Sequence, residues 1–250
     1  MKTRIYLGMM LMFGADEIFA QKQTEKFTQV WAAYANQTRF SNKWGGWLDV
    51  HLRTKDDFVN GLSQLIFRPA VTYYANDATK ISAGYAYISI YPLDGHTKVT
   101  QPEHRPWQQI QWHTKYNRNR TMQWIRLEER YRRKIQNDST LAGGYNFNYR
   151  VRYNFLWQVP LSKEVKKGTV SFVLNDEVHV NFGKQITYNY FEQNRFFVGF
   201  SYNTNASDNL QVGYLNVFQQ LPAGNRYRSS NAARVTYFHN LDLRKKKANP

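Results

Sequence analysis

From Tyr145 to Trp157 the side chains alternate. Tyr145, Phe147, Tyr149, Val151, Tyr153, Phe155 and Trp157 are apolar or aromatic, and Asn146, Asn148, Arg150, Arg152 and Asn154 lie between them, with Leu156 as the exception. A period of two is the signature of a strand with one greasy face and one wet face. At a rise of roughly 3.3 Å per residue this segment would reach about 43 Å, where an ordinary strand has about 5 or 6 residues. A barrel strand in an outer membrane must cross an apolar band about 25 Å tall at a tilt of about 40°, apolar toward lipid and polar toward a wet interior.

The same template predicts eleven strands along the chain, at 28 to 40, 44 to 54, 61 to 75, 79 to 92, 104 to 115, 121 to 134, 143 to 158, 168 to 183, 192 to 204, 208 to 220 and 229 to 243. Two more show the pattern clearly. Trp44, Leu48, Val50 and Leu52 oppose Trp47, Asp49, His51 and Arg53, while Val170, Phe172, Leu174, Val178, Val180 and Phe182 oppose Ser171, Asn175, Glu177, His179 and Asn181. Connections at 41 to 43, 76 to 78 and 205 to 207 are tight, and those at 93 to 103, 135 to 142 and 221 to 228 are longer, as between the two ends of a membrane barrel. The expected fold is all-β, an antiparallel transmembrane up-and-down barrel of ten to twelve strands. Bacterial single-chain barrels have an even count, so twelve is favoured, with a strand missed near the N-terminus. Trp31, Trp44, Tyr73, Tyr91, Trp107, Trp112, Tyr145 and Trp157 are candidates for interfacial girdles. The competing architecture is a secreted soluble barrel or sandwich with its apolar faces turned inward.

Residues 1 to 20 have the layout of a secretory signal: Lys2 and Arg4, an apolar stretch from Ile5 to Phe13, and Ala20 before Gln21. That stretch is shorter than the ~20 residues of a transmembrane helix, so residues 21 to 250 are expected to form a single exported domain. Cleavage would remove two basic and two acidic residues and leave the net charge at +16. Cysteine is absent, which excludes disulfides and thiolate chemistry. The basic balance alone would suit nucleic acid, but export and membrane burial argue against such a partner.

Four runs carry a family resemblance: 103 to 109 (Glu103-His104-Arg105-Pro106-Trp107-Gln108-Gln109), 126 to 130 (Arg126-Leu127-Glu128-Glu129-Arg130), 175 to 178 (Asn175-Asp176-Glu177-Val178) and Phe191-Glu192-Gln193-Asn194-Arg195 followed by Gly213-Tyr214-Leu215-Asn216. In this order they resemble the bacterial family called domain of unknown function 2490, over residues 28 to 243. The resemblance implies an outer-membrane β-barrel of Gram-negative bacteria with no established activity.

The chemistry-bearing residues concentrate on three successive strands. Arg126, Glu128 and Arg130 share one face, Arg150 and Arg152 lie on the next strand, and Glu177 and His179 on the third. Guanidinium pairs bidentately with carboxylate and keeps its charge, so a lumen charge network with surplus positive charge is expected. Arg39, Arg53, Arg68, Arg105, Arg195 and Arg234 fall on the same face, with Asp49 and Asp242 as partners. The network fits two roles, a plug of satisfied side chains or a lumen that attracts anions. An enzyme reading has little to stand on: Gly199-Phe200-Ser201-Tyr202-Asn203 lacks the second glycine of a nucleophile elbow, although barrel hydrolases can assemble Ser and His without a local motif. The six histidines show no metal-ligand spacing, and no phosphate loop or cofactor motif occurs. Basic runs at Arg130, Arg132, Arg133 and Lys134 and at Arg244 to Lys247 could meet lipopolysaccharide phosphates or a periplasmic partner. The expected protein is a monomeric, non-enzymatic outer-membrane barrel, an accessory of an assembly or a narrow anion-preferring pore. The alternatives are a lipid-modifying enzyme of phospholipase or acyltransferase type and a secreted binding protein.

Overall fold

A computed structural model describes residues 23 to 93 and 96 to 244. The expected signal segment and Lys245 to Lys247 lie outside these residues. Eleven strands follow one another: β1 (Gln23–Arg39), β2 (Trp44–Thr54), β3 (Leu62–Tyr74), β4 (Thr79–Ile90), β5 (Gln101–Tyr116), β6 (Asn119–Asn137), β7 (Thr140–Pro160), β8 (Val170–Phe182), β9 (Phe191–Asn203), β10 (Asn209–Gln220) and β11 (Arg226–Asp242). Each overlaps one of the segments that the alternation marks out. The turns rest on side-chain acceptors suited to them. Ser41 Oγ accepts the Trp44 amide at 2.9 Å, Asn76 Oδ1 those of Ala78 and Thr79, and Asn205 Oδ1 those of Ser207 and Asp208.

Every consecutive pair is antiparallel, and the sheet closes between β1 and β11. With an odd number of strands the first and the last run in the same direction, so closure demands a parallel pair. It is formed in unbroken register from Gln23↔Arg226 to Arg39↔Asp242. The expectation of twelve strands is thereby corrected to eleven, because a parallel seam removes the parity requirement from which twelve was inferred. The start of β1 and the end of β11 lie at opposite ends of the barrel. The segment 135 to 142 is no long loop either. There β6 and β7 continue pairing through Ile135↔Leu141 and Asn137↔Thr140 to a two-residue turn. This hairpin extends past its neighbours, since β5 pairs with β6 up to Arg132 and β8 with β7 from Tyr149.

The two faces of the sheet differ in character. Outward positions are mostly apolar, with exposed side chains such as Val71 at 58%, Phe200 at 53% and Val212 at 47%. Inward positions hold buried arginines, glutamates and amides around two apolar clusters. One cluster joins Leu156, Val173, Phe197, Leu215, Val217 and Ala232, and the other Ile66, Ala86, Ile88 and Trp107. Trp107 is 1% exposed, and Trp31 lines the lumen, so neither belongs to an interfacial girdle as expected. The parity they share with Arg105 and Gln29 turns them inward, whereas Trp44 and Tyr145 remain exposed outside.

Candidate functional site

The lumen is crossed by a continuous chain of ion pairs. Glu103 of β5 accepts from Arg105 Nε (2.9 Å), Arg130 Nε (2.8 Å) and Arg132 Nε (2.9 Å). Arg130 reaches on to Glu192 of β9 (2.7 Å), and Glu192 also takes Arg150 Nη1 (2.7 Å). Arg150 Nε donates to Glu128 (2.8 Å), and the other oxygen of Glu128 accepts Arg152 Nη1 (2.7 Å). Arg152 Nε then reaches Glu177 (2.6 Å), which is also approached by His179 Nε2 (3.1 Å) and Arg195 Nη1 (3.4 Å). All eight residues singled out from the alternation thus come together: Arg126, Glu128, Arg130, Arg150, Arg152, Glu177, His179 and Arg195. Arg126 is the loosest of them, 3.9 Å from Glu128.

Register explains why carboxylates are shared in this way. Arg126 stands directly opposite Arg152, a like-charge pairing that destabilises a sheet unless a neighbour compensates. Glu128, two residues along and fully buried, supplies that compensation to both.

Glu103 and Glu192 join the network in addition to the residues that the alternation singles out. The first was legible, because it lies two residues before Arg105 on the same strand face. The second was not, since Glu192 and Gln193 are consecutive yet both buried. The register between β8 and β9 slips there, from His179↔Gln193 to Val180↔Phe191, leaving Glu192 as an extra residue that turns inward. A bulge re-aims a side chain in just this manner.

Other expectations need correction. Asp242 pairs with Arg244 at the barrel rim, and Arg39 with Asp77 (2.8 Å), so neither belongs to the lumen network. Arg130 and Arg132 are not a run leading into a loop, since they turn into the lumen onto Glu103. Asp49, by contrast, pairs inside with Arg68 (3.3 Å) and His51 (3.1 Å). The Ser201 hydroxyl donates to Asn209 Oδ1 (3.1 Å), and no histidine contacts it among the described residues. No group of three or more His, Asp or Glu side chains there is arranged to hold a metal ion.

Among the described residues, two cavities flank the ion pairs. One of about 280 Å³ lies at the end where β1 begins, around Glu103, Arg130 and Glu192; the other, of about 440 Å³, opens toward the end where β1 meets β2. Trp31, Arg53, Arg68, Arg152 and Arg195 line both and form the septum between them. In the septum Arg53 lies over the Trp31 ring at 3.7 Å and Arg195 at 5.2 Å.

The chain is 29% identical over 163 residues to an uncharacterized protein of Methylorubrum extorquens. The alignment covers 63% of this chain and 65% of the relative, just under two thirds of its length. No solved structure matches the chain. The family model described as "Protein of unknown function (DUF2490)" matches residues 28–228, a span that contains the whole ion-pair chain, and the protein belongs to that family.

Proposed function

We propose that the protein is a non-enzymatic outer-membrane β-barrel, exported with residues 1 to 20 as a cleaved signal, whose lumen is closed at rest and which serves as an accessory of an outer-membrane assembly. The observation that carries this reading is the inversion of the sheet's two faces. Exposed Val, Ile, Phe and Tyr cover the outside, while Glu103, Glu128 and His179 are fully buried within. A soluble barrel needs the opposite arrangement, and lipid is the solvent in which this one is favourable. Even the shortest strand, β2 with 11 residues, would rise about 28 Å at a tilt of about 40°, enough to cross the ~25 Å band.

The accessory role is supported by a break in the apolar coat. On the outward face of β8 to β11, Asp176 accepts from Asn194 (2.7 Å), and Asn216 donates to Asn231 (3.0 Å). A carboxylate at lipid depth is costly and marks a functional contact, here a surface for a neighbouring outer-membrane protein. Arg133 and Lys134, on the projecting β6–β7 hairpin, suit lipopolysaccharide phosphates.

The test is fractionation and extraction. The expected protein sediments with outer membranes, needs detergent to stay dispersed, and gives no steady current in planar bilayers. A mature chain that remains monomeric in detergent-free buffer overturns the proposal. A second reading, selective anion passage when the septum opens, is favoured by Arg53, which lines both cavities with no carboxylate within 4.0 Å among the described residues.

A further inference from the structure

We infer that the larger lumen chamber is a binding site for a small soluble polyanion, a molecule carrying two or more carboxylate or phosphate groups. The inference goes beyond membrane residence and rests on lumen geometry alone, so it stands or falls separately from the location proposed above.

Basic residues line both cavities, but their carboxylate partners are distributed unevenly along the lumen. Glu103, Glu128, Glu177 and Glu192 are consumed by the ion-pair chain, and Asp49 is the one carboxylate among the residues lining the larger chamber. Arg53, Arg234 and Lys80 line it with no carboxylate within 4.0 Å among the described residues. Arg126 has Glu128 at 3.9 Å, but that carboxylate already serves Arg105, Arg150 and Arg152.

The three arginines are held in place by neutral partners. Arg53 stacks on Trp31 at 3.7 Å and donates to Gln64 (2.8 Å). Arg234 stacks on Phe197 at 3.8 Å and donates to Gln211 (3.1 Å). Arg126 lies over Trp107 at 4.2 Å and donates to Gln109 (2.8 Å). A neutral amide orients a guanidinium and leaves its charge in place. Arg53 Nε, Arg234 Nε and Arg126 Nη1 are buried with no acceptor.

A lumen that served only as a plug would pair these groups as its other half does, since an uncompensated buried cation is expensive. Confining several of them around one space concentrates a positive field there. The space, about 440 Å³, falls in the usual range of about 300 to 1,000 Å³ for small-molecule sites. Exposed Arg120 lines it at the end where β6 begins, so the chamber reaches solvent. Arginines contributed by β2, β6 and β11 surround the space, an arrangement that favours several anionic groups over one. The indoles of Trp47 and Trp124 provide wall for the carbon skeleton.

The test titrates the folded, purified full-length protein with pyrophosphate and with citrate, sodium chloride holding ionic strength constant, and reads tryptophan fluorescence and calorimetric heat. Saturable binding below about 10 mM is expected with one of the two at least. Arg53→Gln and Arg234→Gln should each weaken it by about tenfold or more, while the ligand-free variants unfold no more easily than the wild type. Arg133→Gln removes the same charge from the outer wall and should leave affinity within about twofold. Absence of saturable binding by correctly folded protein, or equal weakening by Arg133→Gln and Arg53→Gln, overturns the inference. The assay runs in detergent or without it, so solubility in plain buffer would refute the membrane location and leave the chamber still to be judged by its own titration.

Discussion

Glu128→Gln is expected to be among the most damaging single changes in the lumen, out of proportion to the one atom it replaces. The carboxylate is fully buried. One oxygen accepts from Arg150 Nε at 2.8 Å and lies 3.5 Å from Arg105 Nη1; the other accepts from Arg152 Nη1 at 2.7 Å and lies 3.9 Å from Arg126 Nη1. An amide retains one acceptor and presents a donor where the second was, so at least one guanidinium loses its partner and four lose the charge. A lost charge-assisted hydrogen bond costs about 1.5 to 3 kcal/mol, and breaking a buried pair costs about 3 to 5 kcal/mol. The expected loss is therefore about 4 kcal/mol. Glu25→Gln is the control, because Glu25 bridges Arg226 and Arg228 at a partly exposed rim, where a pair is worth about 1 kcal/mol or less. Guanidinium unfolding in detergent micelles, followed by tryptophan fluorescence, gives both values from the midpoint shift and the slope. The double variant Glu128→Gln with Arg150→Gln should lose less than the sum of its parts, since it restores the local balance. A Glu128→Gln loss no greater than that of Glu25→Gln would show that the network is not what ties β5, β6, β7 and β8 together.

Two further predictions concern the turns and the closure. Asp208, in the β9–β10 turn, accepts from Asn205 (2.9 Å), the Asn240 amide (2.9 Å) and the Tyr237 hydroxyl (3.2 Å). Burial alone would raise its pKa, but these bonds outweigh it and hold the carboxyl below its ordinary value. A lowered folded-state pKa adds stability that is fully present above the unfolded value near 3.9 and lost as pH falls through the folded one. Asp208→Asn should flatten the acid limb of a stability profile below about pH 4, and an unchanged limb would contradict the assignment. Because the chain has no cysteine, Thr24→Cys and Leu243→Cys can be labelled one at a time with an impermeant maleimide in sealed vesicles, given the outer-membrane location proposed above. The parallel seam places these positions at opposite ends of the barrel, so one should label before lysis of the vesicles and the other after; labelling from one side would restore an even strand count.

The strands and the lumen network could be read from the chain because each depends on local information. A period of two fixes which side of the sheet Arg150 or Glu177 faces, and outward lipid or inward water does not alter that parity. Trp107 shows the rule outperforming a compositional guess: its parity with Arg105 puts it inside, whereas its aromatic character and place near a strand end suggested a girdle. Closure is a different kind of fact. The pairing of Gln23 with Arg226 links the ends of the sheet across the whole chain, and nothing in the alternation of β1 or β11 states whether its last partner runs parallel or antiparallel. The Glu192 bulge escaped for a related reason, since an inserted residue reverses parity within a strand whose pattern is otherwise regular. The surplus of cations was legible as a sum, but which of them stay without a carboxylate depends on which carboxylates the other arginines reach.

The septum is a mechanical element as well as a charged one. The ring of Trp31 of β1 meets both Arg53 of β2 and Arg195 of β9, so a single indole holds guanidinium groups from strands on either side of β1 where the two cavities meet. Each cation–π contact contributes about 0.5 to 2 kcal/mol, depending on how far the pair is withdrawn from water. Trp31→Ala removes both contacts together with the bulk that separates the cavities. The two arginines, repelling each other and no longer held on the ring, should swing apart and join the cavities into one passage. In planar bilayers the wild type should carry no steady current and Trp31→Ala a small one that prefers chloride over potassium, while Trp31→Phe, which keeps an aromatic face, should stay silent. A silent Trp31→Ala that refolds normally would mean that the ion-pair chain, and not the stacked tryptophan, is what seals the lumen.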